Sequence, residues 1–370
     1  MTRRATGLGL ATAIAAAVSA ASTPLRSAAA AAPPCEIEKV DRIVAVGDVH
    51  GAYDRFVEIL QTAGILDRRL RWAGGRAHLV QLGDVVDRGP DSRRALDLVE
   101  RLQDDARRSG GAVHALLGNH EVMRMTGDLR YVTPGEYEAF VTSRSEDLRS
   151  DFLNRVDPLL RDQLPKEMPL GYLEMRVAFG PKGQYGERLR KLDAVVKING
   201  VLFVHGGISP DIAGMSCDVL NTAVRREITT DVEAASSTPP DSSLSSGENG
   251  PLWYRGLAQE PDAFAQSANE ILAKQNARAI VIAHTVTPGR RIEMRFGGKV
   301  FQIDTGMQPG YVENGRASAL EIKGGVFTAI YTDRRDVLFK LPADAPKAAA
   351  LPDNPRAPFA PAADLRSADR

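Results

Sequence analysis

Short apolar runs recur along the chain, and several stop abruptly at glycine followed by aspartate, asparagine or histidine. In AHLVQLGDVVDRGP the run Ala77 to Leu82 reads as a buried strand, and DSRRALDLVERL, Asp91 to Leu102, carries the spacing of an amphipathic helix. The same order of strand, polar turn and helix occurs in RIVAVGDVHG (Arg42 to Gly51) ahead of YDRFVEILQTAG. AVHALLGNHE (Ala112 to Glu121) ends a further apolar run on Asn119 and His120. The repeat is about 35 residues, close to the length of one βαβ unit. Three parallel strands of an α/β sheet therefore deliver Asp48, Asp84 and Asn119 to one edge, where following helices point their amino ends into a ligand crevice.

Beyond these repeats, VLFVHGGIS and IVIAHT read as strands ending in histidine. RIEMRFGGKVFQID and ASALEIKGGVFTAIY read as hairpins turning at Gly297-Gly298 and Gly324-Gly325, so the carboxyl half is expected to supply a second, largely antiparallel sheet. Helical patterns over about 134–165 predict an inserted helical subdomain. The Ser, Pro and Gly rich stretch 233–250 predicts a mobile loop. The folded domain is expected to span 36–341, followed by a disordered Pro and Ala rich tail at 342–370.

At the other end, the basic start TRR, the apolar stretch GLGLATAIAAAVSAA and the small residues after it read as an export signal and alanine-rich leader over 1–33. The mature protein is then expected in the periplasm or secreted. No later segment is apolar enough to cross a bilayer. The two cysteines, Cys35 and Cys217, permit one disulfide or two free thiols.

Composition adds limits. With 370 residues, 43% hydrophobic and 25% charged, the chain can bury a full core, and Lys+Arg balance Asp+Glu at 47 each. No global basic field argues for nucleic acid as a partner.

Histidine placement changes the picture more. His50, His120, His205 and His284 lie where apolar runs end, whereas His78 and His114 fall within strand runs and read as structural. Four such histidines beside Asp48, Asp84 and Asn119 suit two divalent ions. Carboxylate and amide oxygens with imidazoles and no thiolate favour Mn, Fe or Zn. Two such ions against the carboxylates of Asp48 and Asp84 and a bridging hydroxide leave a small net positive charge, which attracts a phosphate dianion.

In that order, GDVHG, GDVVDRGP, GNHE, FVHGG and IAHT resemble the calcineurin-like metallophosphoesterases, specifically the phosphoprotein phosphatase family. The likeness spans roughly residues 43–331. The long interval between GNHE and FVHGG, with YGERLRKLDAVVKING and LWYRG, looks most like the Shewanella-like protein phosphatase branch, which leans towards phosphotyrosine. The resemblance implies a two-sheet α/β/β/α sandwich with a helical insertion. It also implies that Asp48 and His50 hold one metal, that Asp84 bridges, and that Asn119, His205 and His284 hold the second. His120 becomes the general acid, Asp87 the carboxylate orienting it, and Arg88 and Arg255, with Asn119, the groups that bind substrate phosphate. Trp253 and Tyr254 are expected to flank an open cleft.

The chemistry expected is in-line attack of a metal-bridging hydroxide on a phosphate monoester, with a phosphoprotein or phosphopeptide as substrate and manganese among the candidate metals. Two rival readings are a hydrolase of dinucleoside polyphosphates or other nucleotides, and a noncatalytic phosphoprotein-binding module. The first would need a nucleobase site, and the second a missing ligand or acid.

Overall fold

The computed structural model describes residues 35–156, 168–230 and 243–342. Residues 1–33, read as a leader, the tail beyond residue 342 and parts of the two internal segments noted above therefore lie outside the described residues. β2 (Arg42–Val46), β3 (His78–Gln81) and β4 (Ala112–Ala115) run parallel in neighbouring positions, Ile43 opposite His78 and His78 opposite Ala112. The three repeats thus end at one edge. α1 (Tyr53–Thr62) follows β2, α2 (Ser92–Arg108) follows β3, and α3 (Asn119–Thr126) follows β4.

The carboxyl-terminal strands correct one expectation, because they do not form a sheet of their own. β10 (Ser318–Lys323), β11 (Val326–Tyr331) and β12 (Arg335–Lys340) extend the first sheet to the order β12-β11-β10-β2-β3-β4. Leu320 lies opposite Ala45 in an antiparallel pairing that covers what would be an open apolar edge of β2. The second sheet is mixed, in the order β1-β5-β6-β7-β9-β8, with β1 (Glu36–Ile37), β5 (Val195–Ile198), β6 (Val201–Val204), β7 (Ala279–Ile282), β8 (Glu293–Arg295) and β9 (Val300–Gln302). β6, β7 and β9 are mutually parallel, so they too bring their carboxyl ends together.

The sheets pack face to face over Ile43, Val80, Val196, Phe203 and Phe301, with Phe301 stacked on Phe327 at 4.3 Å between ring centroids. α1 and α2 cover the outer face of the first sheet with Phe56, Ile59, Leu60, Leu98 and Leu102. Each such side chain stabilises by roughly 1.5–3 kcal/mol through burial. Helices Cys217–Thr230 and Ala265–Lys274 cover the second sheet. This is the α/β sandwich that the motifs imply, with helices outside two mixed sheets.

Helices Pro134–Glu138 and Ser145–Arg155 occupy the described part of the segment read as a helical insertion. In the segment 233–250, the described part from Ser243 onward is a turn tied to Glu227, which accepts the N–H groups of Leu244 at 3.1 Å and Ser245 at 2.8 Å. Cys35 and Cys217 form a disulfide with a Cα–Cα distance of 6.1 Å, joining the start of β1 to helix Cys217–Thr230.

Candidate metal centre

The loops after β2, β3, β4, β6, β7 and β9 meet at the strand ends. Two glycines allow the closest of these approaches. A Cβ at Gly83, whose φ is +89°, would overlap the backbone of Gly118, and one at Gly118 would strike the Asp84 carboxylate. The buried carboxylate of Glu121 then ties the two loops together. Its Oε2 accepts the N–H groups of Asp84 and Gly118, each at 2.8 Å, and its Oε1 accepts that of Val85, also at 2.8 Å. Glu121 belongs to the GNHE motif, but no role was assigned to it from sequence.

Asp48, His50, Asp84, Asn119, His120, His205 and His284 are all buried and converge. His205 Nε2 lies 3.3 Å from Asp84 Oδ2 and 3.0 Å from Asn119 Oδ1. His50 Nε2 lies 3.7 Å from both Asp48 Oδ2 and Asp84 Oδ2. Two groups sharing Asp84 have ligand atoms close enough for one ion each: His50, Asp84 and His120, and Asp84, His205 and His284. The appearance of His120 in the first group reflects its Nε2, 3.8 Å from Asp84 Oδ2, facing the same space as the ligands.

The donor set fits divalent ions on independent grounds. His50 Nδ1 is 2.9 Å from the Val86 carbonyl and His205 Nδ1 is 2.7 Å from the Leu82 carbonyl, so each ring donates from Nδ1 and leaves Nε2 free to ligate. His284 Nε2 is buried with no hydrogen-bond partner among the described residues. An orphaned imidazole nitrogen costs about 1–3 kcal/mol unless something occupies its lone pair.

Charge tells the same story. Burial, Asp304 and Asp84 push the Asp48 carboxyl well above the usual carboxylate range. Burial also opposes ionisation of Asp84, but His205, His120 and His50 hold its carboxyl well below that range. Burial lowers His50 to about 4, and burial, His205 and Arg255 hold His284 well below the ordinary histidine value. Both imidazoles are therefore neutral, the form that binds a metal. Backbone strain concentrates here too: φ is positive at His50 (48°), Asp84 (52°), Asp87 (72°), Arg88 (66°) and His284 (62°). Left-handed backbone at non-glycine residues costs of order 1–3 kcal/mol each and persists where the surroundings over-determine it, commonly at functional sites.

His120 and Asp87 form a tight pair, Nδ1 to Oδ2 at 2.6 Å. Burial opposes protonation of His120, yet Asp84 and Asp87 raise its pKa above the ordinary value. Sequence reading missed what lies behind this pair. Arg124, one helical turn after His120, is buried between Asp87 and Glu136; its Nη2 donates to Asp87 Oδ1 and, at 2.8 Å, to Glu136 Oε1. The i, i+4 spacing of His120 and Arg124 on α3 was the available signal.

The two candidate phosphate arginines are placed differently. The Arg88 guanidinium lies 4.3 Å from the Tyr131 ring centroid and 3.7 Å from that of Tyr311. Arg255 Nη1 donates to the His284 carbonyl at 3.2 Å and to Thr285 Oγ1 at 2.9 Å. Trp253 meets the edge of His284 with ring centroids 5.7 Å apart, and the Tyr254 ring packs over Gly207. The aromatic pair around Arg88 is thus Tyr131 and Tyr311, a consequence of loop positions that residue type alone does not encode. His78 and His114 lie apart from the cluster and bond to each other at 3.0 Å.

Residues 41–288 match the sequence profile described as calcineurin-like phosphoesterase. The chain belongs to that family. Such a phosphoesterase is a hydrolase of phosphate esters, and its relatives include Shewanella-like protein phosphatases. Shewanella-like protein phosphatase 2 of Arabidopsis thaliana is 28% identical over 309 residues, 77% of this chain and 76% of the relative. Shewanella-like protein phosphatase 1 of Plasmodium berghei (strain Anka) is 27% identical over 270 residues, 72% of this chain and 67% of the relative. The crystal structure of a cold-active protein-tyrosine phosphatase from a psychrophilic Shewanella species superposes with a TM-score of 0.65 at 29% identity, covering 83% of each chain.

Proposed function

We propose that this phosphoesterase hydrolyses phosphate monoesters of proteins or peptides, with phosphotyrosine favoured, through a two-metal site. In this reading Asp48, His50 and Asp84 hold one ion, and Asp84, Asn119, His205 and His284 the other. When bound, the ions lower the pKa of a water to supply the nucleophile and neutralise charge on the phosphoryl oxygens. Arg88 and Arg255 bind the phosphate, the fork of each guanidinium matching two oxygens. Asn119, at the amino end of α3, adds a donor where the helix dipole favours negative charge.

His120 protonates the departing oxygen, with Asp87 holding it cationic and oriented. The observation that carries the reading is the 2.6 Å His120–Asp87 pair aimed into the buried ligand cluster. A binding module that had lost catalysis would have no use for it. Aryl preference is supported by the tyrosines flanking Arg88, of which Tyr311 is 43% exposed, and by the likeness to the Shewanella protein-tyrosine phosphatase.

We also infer action outside the cytoplasm, in keeping with the leader at 1–33. The disulfide supports this, since such bonds persist in oxidising compartments. The test of substrate class is kcat/KM for matched phosphotyrosine and phosphoserine peptides against dinucleoside tetraphosphates, with Mn, Fe and Zn in turn. Preference for phosphotyrosine is expected; a dinucleotide as the best substrate would overturn the protein-phosphatase reading.

A further inference from the structure

The segment IDTG, which follows β9, plays no part in the mechanism above, yet it places a buried acid at the metal cluster. Asp304 is 2% exposed, and its side chain lies against that of Asp48. The contact depends on a close backbone approach: a Cβ on Gly47 would lie 3.1 Å from the Ile303 carbonyl oxygen and 3.3 Å from the Asp304 N–H nitrogen. The Gly306 N–H donates to Asp304 Oδ1 at 2.9 Å, and the Asp304 carbonyl accepts the Thr287 N–H at 3.0 Å, so the carboxylate is fixed in place. Around it lie Asp48, Asp84 and His205, and among the described residues no lysine or arginine forms an ion pair with it.

Among the described residues no lysine or arginine neutralises Asp48 or Asp304, and holding buried acids ionised without a partner costs several kcal/mol. A divalent cation beside Asp48, Asp84 and Asp304 would compensate that charge. Asp48 serves only the ion it shares with His50 and Asp84, so the acid pressed against it bears chiefly on that ion.

We propose that Asp304 is a positioning residue of the metal centre: it orients the Asp48 carboxylate and supplies additional negative charge that retains the ion held by Asp48, His50 and Asp84. The proposal rests on the two-metal reading. Outer groups that hold a metal ligand in place typically contribute 10–100-fold in metal affinity. Asp304 also lowers the net charge of the loaded site, leaving more of the attraction for phosphate to Arg88 and Arg255.

The test uses the metal-stripped full chain, with Mn added back by calorimetric titration and unfolding followed in chelator and in Mn. Wild type is expected to bind two ions. Asp304→Asn keeps the size and removes the charge, so it should bind one ion as tightly as wild type and the other about 10–100-fold more weakly. Its stripped form should unfold close to stripped wild type, because Asn keeps the size of the side chain and its acceptor for the Gly306 N–H, while its gain in Tm with Mn should be smaller. If this variant purifies poorly, Asp304→Ser is used and the rate at which chelator strips Mn is compared; faster release of one ion is expected. Unchanged affinity and release for both ions, with wild type still binding two, would overturn the role of Asp304 alone. A stripped variant that is less stable while its Mn affinity is intact would do the same, by showing a purely structural part. A wild type that takes up fewer than two ions would overturn the two-metal reading and this proposal with it.

Discussion

Replacing Arg124 by methionine would show how far the acid depends on the charges behind it. The guanidinium is 1% exposed and is the cation shared by Asp87 and Glu136, while Ser92 Oγ, the Asp87 N–H and the Thr133 N–H complete the shell of Glu136. Without Arg124, Asp87 keeps His120, but Glu136 becomes a buried carboxylate with neutral partners only. Breaking a buried pair in this way costs about 3–5 kcal/mol. At about 2–4 °C per kcal/mol for a domain larger than 150 residues, Tm should fall by roughly 6–20 °C. Burial already raises the Glu136 carboxyl, and Asp87 pushes the same way against the pull of Arg124, so losing Arg124 raises it further. The penalty should therefore shrink as pH falls and Glu136 takes up a proton. Arg124→Met/Glu136→Gln should recover a large part of the lost stability, because the orphaned charge is gone. Thermal unfolding of the four proteins at pH 5 and pH 8 completes the cycle. A single variant within about 1 kcal/mol of wild type, or a double variant as unstable as the two losses added, would refute the shared-cation argument.

Other expectations follow from the same geometry. His120→Asn should retain its metals yet slow phosphoserine hydrolysis more than phosphotyrosine, within the 10²–10⁴-fold that a general acid contributes; an equal loss on both leaving groups would remove His120 from that role. Because the pKa of His120 is raised, its stabilising interaction is complete below the unfolded value and is lost as pH rises through the folded one, so activity should fall on that alkaline limb. Asp87→Asn should move the limb to lower pH, and an unmoved limb in the pH profile would contradict the pairing. Cys35→Ser should lower unfolding stability by about 2–5 kcal/mol, matched by wild type in reductant, as read from denaturant midpoints; identical midpoints would show the bridge to be unimportant.

The parallel strands and their polar ends were legible because period, spacing and turn chemistry are local properties of the chain. β2, β3 and β4 lie where the repeat puts them, and the motif residues converge at their ends. Partners chosen by long-range packing were not legible. Nothing local in ASALEIKG says that β10 will close the edge of β2, since its alternation suits either sheet. Asp304 reads in sequence as a turn residue before threonine and glycine, and only the approach of Gly47 makes it a neighbour of Asp48. Arg124 resembles a surface arginine on a short helix until Glu136 folds over it. Tyr131 and Tyr311 come from loops about 180 residues apart in sequence and meet only across Arg88.

That two ions act together in this cluster can be read from hydrolysis of an aryl phosphate while Mn is titrated into the stripped enzyme. Little turnover is expected at one equivalent, with a rise to full rate as the second binds and no such rise in His284→Ala, whose second group is incomplete. Full activity at a single equivalent, or in the presence of excess chelator, would contradict it.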